Sequence, residues 1–389
     1  MMKPDSPKRQ PEAQHEIRPE PSYLIGHDLT SLQALMQSME EPAFRAEQLH
    51  QWLYVKCVRD YEAMSNLAKS TRAKLAEKFP QIGCLTLHTR EQSRDGTQKF
   101  LFELASPANL PGPATGAASP ANASPYRIES VLMPYQERGT LSACISSQAG
   151  CAVGCHFCAT AKLGFKRQLT VAEIVDQYLY VQHLAQAEVR NIVFMGQGEP
   201  LLNLDNVIPA MMLLNQSAEV GMRRMTISTA GIVPGIYRLA QEALPVTLAV
   251  SLHAPDDTTR SAFMPINAKY PIAELLPALH HYVNTTRRRL TIEYIMLAGI
   301  NDSPTQAHML AQQLKGLKCN VNLIPYNPIA AQLLPPGGEA LKRSSPKAIE
   351  TFREIVSGYG RKVTVRLERG ADINAACGQL ANQHSSNVA

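Results

Sequence analysis

From residue 127 to residue 367 the chain repeats one pattern: a short run of aliphatic and β-branched residues, then a longer stretch with helical spacing. Apolar runs at 127–132, 140–146, 191–195, 225–228, 246–251, 290–296, 320–324 and 362–367 read as strands. Stretches at 170–187, 204–220, 236–243, 272–285, 305–315 and 346–358 read as the intervening helices. Short strands joined through helices pair in parallel, because a helix-length crossover returns the next strand in the same direction. Six or so such units suit a parallel α/β barrel, whole or partial, with reaction sites at the C-terminal ends of its strands. The residues just past each run are therefore the candidates for chemistry.

The loop after the run 140–146 carries Cys151, Cys155 and Cys158 in a C-x3-C-x2-C pattern. Three thiols this close on a glycine-containing loop can converge on one metal centre. Iron–sulfur clusters are held by cysteine thiolates, four for a four-iron cube. No fourth cysteine follows at short spacing, so three ligands would leave one iron open. A structural zinc site is the alternative. Zinc prefers four closed ligands, usually as two separated pairs, and His156 as the fourth would require the short loop to fold back sharply. The residues alone leave both readings open.

The other strand ends carry small or polar groups. Met-Gly-Gln-Gly-Glu-Pro at 195–200 contains Gly198 and Glu199; glycines admit a ligand close to the backbone, and a glutamate accepts from an amino group. Ser228 ends the next run, Ser251-Leu252-His253 another, and Asn327 follows Ile324-Pro325-Tyr326. Each alone reads as a turn or cap; four in succession suggest a ligand ring. Two further thiols stand apart. Cys377 lies in Gly-Ala-Asp-Ile-Asn-Ala-Ala-Cys-Gly-Gln-Leu after the last strand, and Cys144 lies seven residues before the cluster triplet. A lone cysteine is usually a small buried residue, but the neighbours of Cys377 are small enough to admit another group. Cys57, Cys84 and Cys319 sit in apolar or helical settings and read as structural.

The rest of the chain frames this core. Residues 1–22 are Pro-rich and charged, a tail without apolar anchors. Residues 23–95 form a small helical accessory domain with the chain's one tryptophan, Trp52. Its Arg45, Lys56, Arg59, Lys69, Arg72 and Lys74 are candidate RNA contacts. Residues 96–126 comprise a strand and an uncharged Ala/Pro/Gly-rich insertion at 106–125. Residues 127–380 are the core, and 381–389 a tail. At 389 residues the chain can bury a large core. It has no apolar run of membrane-spanning length and no signal-peptide core, so a cytoplasmic protein with no membrane partner is expected. Eight unevenly placed cysteines fit metal and redox chemistry better than a disulfide framework. A net charge of +5 is a mild sign of a polyanionic partner.

These segments together resemble the RlmN family of dual-specificity RNA methyltransferases, in the radical S-adenosylmethionine (SAM) superfamily. The resemblance runs from about residue 29 to 380. It is carried by Pro-Ala-Phe-Arg-Ala-Glu-Gln-Leu, Gln-Trp-Leu-Tyr, the stretch 144–158, Gly-Phe-Lys-Arg, Gly-Glu-Pro-Leu-Leu-Asn, Ser-Leu-His-Ala-Pro, Asn-Leu-Ile-Pro-Tyr-Asn-Pro and Ala-Cys-Gly-Gln-Leu. It implies a radical SAM partial (βα)6-type barrel with a small N-terminal helical domain. It implies a [4Fe-4S] cluster, one per chain, on Cys151, Cys155 and Cys158, with SAM at the open iron. Gly198, Glu199, Ser228, Ser251, Leu252, His253 and Asn327 would contact SAM. Cys377 would become S-methylcysteine, Glu129 would accept the proton from the substrate carbon, and Cys144 would pair with Cys377 in a transient disulfide that frees the product. Gln197 stands where the family usually has Met between the glycines.

The resemblance further implies 23S ribosomal RNA and certain tRNAs as partners, with an electron donor such as flavodoxin or ferredoxin; a monomer is expected. The implied product is an adenosine methylated at carbon 2. A Cfr-like enzyme acting on carbon 8 would use the same cysteines. A non-catalytic, metal-containing RNA-binding protein would not need both Cys144 and Cys377. Lys162, Lys166, Arg167 and the run Arg287-Arg288-Arg289 are candidate phosphate contacts.

Overall fold

The computed structural model describes residues 23–104, 125–135, 139–329 and 340–382. The expected N-terminal tail and nearly all of the insertion at 106–125 lie outside the described residues.

The N-terminal region folds as three short helices, α1 (Leu29–Ser38), α2 (Phe44–His50) and α3 (Lys69–Lys78), with a π-helical turn at Gln51–Val55 continuing α2. Asp28 caps α1 by accepting the Ser31 N–H at 2.8 Å, satisfying a donor that the first helical turn leaves free. Trp52 is buried, and its indole N–H donates to Asn66 at 2.5 Å. Most cations named above as RNA candidates are engaged internally. Arg59 pairs with Asp176 on α4 (Val171–Ala185) at 2.5 Å, docking this region on the core. Arg72 pairs with Glu62, Lys74 with Glu41, and Arg45 donates to the Asn66 carbonyl.

Two strands follow, β1 (Leu85–Gln92) and β2 (Gln98–Leu104), then β3 (Arg127–Tyr135) and β4 (Thr140–Cys144). β1, β2, β3 and β4 pair antiparallel in sequence. β1 extends the barrel sheet, although the sequence reading places residues 85–92 with the helical domain. A two-stranded hairpin, β5 (Gln148–Gly150) and β6 (Phe165–Gln168), carries the cysteine loop between its strands.

The βα repeat then runs as expected: α4, β7 (Val189–Phe194), α5 (Leu204–Ser217), β8 (Met225–Thr229), α6 (Val233–Gln241), β9 (Thr247–Ser251), α7 (Asp257–Phe263), α8 (Ile272–Thr286), β10 (Leu290–Met296), α9 (Pro304–Gln313), β11 (Cys319–Pro325), α10 (Pro346–Gly358) and β12 (Val363–Val365). The sheet order is β1-β2-β3-β4-β7-β8-β9-β10-β11-β12. From β4 to β12 every neighbouring pair is parallel. Helix starts are sharply set: Thr170 and Glu173 form a capping box on α4, and Ser303 and Gln306 another on α9, where Pro304 occupies the first turn. Ile192, Ile227, Leu248, Val250, Ile292, Val321 and Leu323 on the parallel strands are all fully buried. No helix among the described residues is long and apolar enough to cross a membrane.

After β12 the chain leaves the sheet and crosses to its first strands. The Gly370 N–H donates to Asp95, and Ser93 donates to Asp372, both in the turn between β1 and β2. The Ala159 N–H donates to the Gly378 carbonyl, and Thr160 donates to the Leu380 carbonyl. The Asn382 N–H reaches Glu129 on β3. This strap sets Cys377 against the cysteine loop.

Candidate active site

The cysteine loop hangs from the end of β4 and returns through β6. Gly150 has φ of +73°, and a Cβ there would collide with the Gly164 carbonyl, so only glycine lets the two ends of the loop cross this closely. Cys151, Cys155 and Cys158 all line one open cleft of about 890 Å³ at the C-terminal strand ends. Their backbone is held locally: the Cys158 N–H donates to the Cys155 carbonyl and the Cys151 N–H to the Gly164 carbonyl. Burial pushes the Cys151 thiol up to about 12 and raises Cys155 and Cys158 as well.

Three half-buried thiols facing one space are poor company for each other as anions, because each thiolate opposes the next. A cationic iron centre supplies the missing compensation. Among the described residues no group of three His, Cys, Asp or Glu side chains is spaced to grip a single ion. A cluster asks for something different, one iron per thiolate. His156 sits against the Ala262 carbonyl at 3.1 Å and does not line the cleft. The donor set therefore fits a cluster held by three cysteines with one iron open toward the cleft.

The same cleft is lined by Gly198, Glu199, Ser228, Ser251 and His253. Gly198 has φ of +99°, and a Cβ would lie 2.6 Å from the Gln148 nitrogen, so the glycine is required by both conformation and space. Glu199 is buried, and its carboxylate accepts the Leu201 and Ala230 N–H groups at 3.0 and 2.7 Å. Burial still outweighs these bonds and lifts it to about 7. His253 is forced to φ of +61°. Its Nδ1 accepts the Ile295 N–H at 3.1 Å, which leaves Nε2 as the protonated nitrogen, and burial drops its pKa to about 3. It is a neutral donor throughout the working pH range, standing edge-on to Phe157 of the cysteine loop. Leu252 packs its side chain into the core, and its N–H and carbonyl are taken by Glu293 and Arg260.

Arg260 has no local sequence signature. It is fully buried, and its guanidinium donates to the carbonyls of Ala230, Ser251 and Leu252 and to Asn267. It thereby fastens the ends of β8 and β9, where the ligand-facing residues stand. Arg260→Met should take this donor from the carbonyls of Ala230, Ser251 and Tyr270, at about 1 kcal/mol or more each. The expected loss is about 3 kcal/mol or more in urea unfolding, with weaker SAM binding by calorimetry; an unchanged midpoint would remove Arg260 from this role.

Cys377 lines the first cleft and also a second cavity of about 630 Å³. That second cavity contains Cys144, with Val131, Met133 and Met195 as its apolar walls. Both thiols are free. Burial, with Cys377 adding to it, pushes Cys144 up to about 12. Asn327 belongs to this second cavity, where its side-chain amide donates to the Cys377 carbonyl at 3.3 Å. Arg366, which sequence reasoning missed, lines both spaces. Cys377, together with Glu293 at 4.0 Å, holds its guanidinium well above the usual arginine value. A positively charged residue right after a terminal strand was the only available signal, and it is a common one.

Glu129 lines neither of these spaces. It is buried behind them, where it accepts the Asn382 N–H at 2.9 Å and the Gln197 amide at 3.4 Å, beside Lys99 at 3.4 Å. Burial raises its pKa, with Lys99 opposing the shift. Gln197 also donates to Asn382, so the residue that departs from the family pattern ties the end of the described chain to Glu129.

The basic candidates divide. Arg167 forms a two-pronged pair with Glu173 at 2.6 and 2.7 Å. Arg287, Arg288 and Arg289 immediately precede β10, at the end of the parallel sheet opposite the cysteines. Arg288 donates to the Val246 carbonyl and Arg289 to Asn320. Lys162 and Lys166 are exposed beside the cysteine loop.

Comparison with known proteins follows the same lines. A family profile for the ribosomal RNA large subunit methyltransferase N-terminal domain matches residues 23–80, and the radical SAM superfamily profile matches residues 145–310. A probable dual-specificity RNA methyltransferase RlmN from Thermus thermophilus is 44% identical over 356 residues, covering 90% of this chain and 92% of its own length. The similarly named protein of Chloroflexus aurantiacus is 42% identical over 379 residues, 93% of each chain. A crystal structure of a radical SAM methyltransferase from Sphaerobacter thermophilus superimposes with a TM-score of 0.83 at 40% identity, covering 93% of this chain and all of that one.

Proposed function

The chain belongs to the RlmN family of dual-specificity radical SAM RNA methyltransferases, and from that premise we propose that it methylates carbon 2 of an adenosine in 23S ribosomal RNA and of the adenosine beside the anticodon in some tRNAs. The observation that carries the proposal is the place of Cys377. It stands in the wall between the cleft of the three cluster cysteines and the cavity of Cys144.

Carbon 2 of adenine is not nucleophilic, so direct methyl transfer to it fails; a sulfur accepts a methyl group readily and later leaves as half of a disulfide. When bound, the [4Fe-4S] cluster and SAM supply the electron, the radical chemistry and the methyl groups that side chains cannot. Cys151, Cys155 and Cys158 would hold the cluster, while Glu199, Gly198, Ser228, Ser251 and His253 orient SAM in the cleft. Cys377 carries the methyl group on its sulfur and faces the adenine edge, with the fixed positive charge of Arg366 beside it. Glu129 takes the proton from the substituted carbon, which requires Asn382 and Gln197 to yield their bonds to it. Cys144 then attacks the Cys377 sulfur: the disulfide forms as the bond from that sulfur to the methylene carbon breaks, the Cys144 thiol proton completes the methyl group of the freed RNA, and the adduct's unpaired electron would pass to the bound cluster. An adenine edge is reachable only when the base is unstacked, so a loop or single strand is the substrate. Nucleoside mass spectrometry after an anaerobic reaction with SAM, a reductant and unmodified RNA tests this; no methyladenosine would overturn it.

The pH dependence of SAM binding follows from Glu199. Its folded value of about 7 lies above that of an exposed carboxyl, so in the ligand-free protein the carboxyl is mostly protonated below pH 7. The carboxylate holds the SAM ammonium group by a charge-assisted bond that the neutral carboxyl cannot match. Affinity should be level above pH 7 and fall by up to about tenfold per unit below it. Glu199→Gln should bind weakly and lose this dependence. A wild-type curve flat through pH 7 in calorimetry would contradict the assignment.

A further inference from the structure

Phe165 is 47% exposed on β6, opposite Gly150 across the hairpin that presents the cysteine loop. A large aromatic ring left half in water on a short strand is not explained by packing. Lys166 follows it, and Lys162 lies on the short 3-10 turn Ala159–Leu163 just before it. Both ammonium groups are exposed, and neither has an ion pair or hydrogen bond among the described residues. Beside them runs an open groove of about 760 Å³ lined by Lys166, Leu163, Gly150, Tyr126, Arg127 and Asn382, among others. Asn382 in its lining is the residue whose N–H donates to Glu129.

An aromatic face between two cations that are unpaired among the described residues, beside a groove whose lining includes Asn382, matches single-stranded nucleic acid. Bases stack on aromatic rings without regard to sequence, and lysines neutralise the phosphates between them. We propose that the β5–β6 hairpin is the docking edge for the RNA strand, with Phe165 stacking a base that flanks the target adenosine and Lys162 and Lys166 holding the adjoining phosphates. A protein partner would seek a broader apolar patch, and the flanking charges here match phosphate. The inference rests on the RNA methyltransferase reading and specifies which surface meets the RNA.

The test uses the cluster-loaded enzyme and a fluorescent single-stranded RNA oligonucleotide containing the target adenosine, read by anisotropy across salt concentration. Phe165→Ala should weaken binding roughly 10- to 100-fold, and Phe165→Trp should restore it. Lys162→Ala and Lys166→Ala should each lower the slope of log affinity against log salt by roughly 0.7, the single-strand value per phosphate. Iron content and circular dichroism verify that each variant is folded. Wild-type affinity in Phe165→Ala, with unchanged salt slopes in the lysine variants, would overturn this inference alone. A wild-type enzyme that binds no RNA would overturn the RNA reading beneath it.

Discussion

Cys377→Ala should leave the cluster loop standing and abolish methyl transfer to RNA, by about 10⁴-fold or more, as loss of an obligatory nucleophile does. The substitution removes one sulfur from a half-buried position that two spaces share. None of the strap bonds that place it uses the Cys377 side chain, so they survive, among them the Ala159 N–H to the Gly378 carbonyl and the Asn327 amide to the Cys377 carbonyl. Iron and sulfide content should match the parent protein. The readout is nucleoside mass spectrometry against standards for 2-methyladenosine and 8-methyladenosine. The parent enzyme should yield the 2-methyl product and the variant none. The 8-methyl product from the parent would keep the thiol roles and move the chemistry to the other edge of the base. Residual methylation in Cys377→Ala near the parental level would end the S-methylcysteine mechanism.

Cys144→Ala should fail one step later. The carbon from the Cys377 methyl group would already be joined to the adenine, and no thiol would remain to take the Cys377 sulfur away. The expected result is an RNA–protein adduct that survives denaturing electrophoresis, up to one per enzyme, with multiple turnover lost by at least about 10³-fold. Truncating one buried thiol costs about 1 kcal/mol of stability, too little to explain such a loss. Continued turnover without an adduct would assign the release step to another group.

Much of this architecture was legible in the residues. The alternation of apolar runs and helical stretches reports the backbone period directly, and each run from 140–146 to 362–367 contains a strand of the parallel sheet. The cysteine triplet and the glycines at 150 and 198 are local signals, because ligand spacing and positive φ are properties of a few consecutive residues. β1 was not anticipated: Leu85-Thr-Leu-His-Thr-Arg-Glu-Gln alternates only weakly and carries charge on its open face.

The remaining features depend on distances between segments that the chain separates widely. Arg260 and Arg366 look like any surface arginine in the sequence. Only the closing of β8 against β9 buries Arg260 among carbonyls, and only the path of the strap sets Arg366 in the cavity of Cys144 and Cys377. That Arg287–Arg289 lie at the end of the sheet away from the cysteines follows only from the parallel direction of β10. Glu129 and Gln197 stand 68 positions apart and meet only under Asn382. The sequence by itself determined the repeat and set three cysteines on one short loop, since local periodicity and spacing suffice for those; the roles given to Cys144 and Cys377 came only through the family resemblance. The tertiary structure decided which side chains face one another across the clefts, because burial and charge pairing arise only when distant strands are brought together.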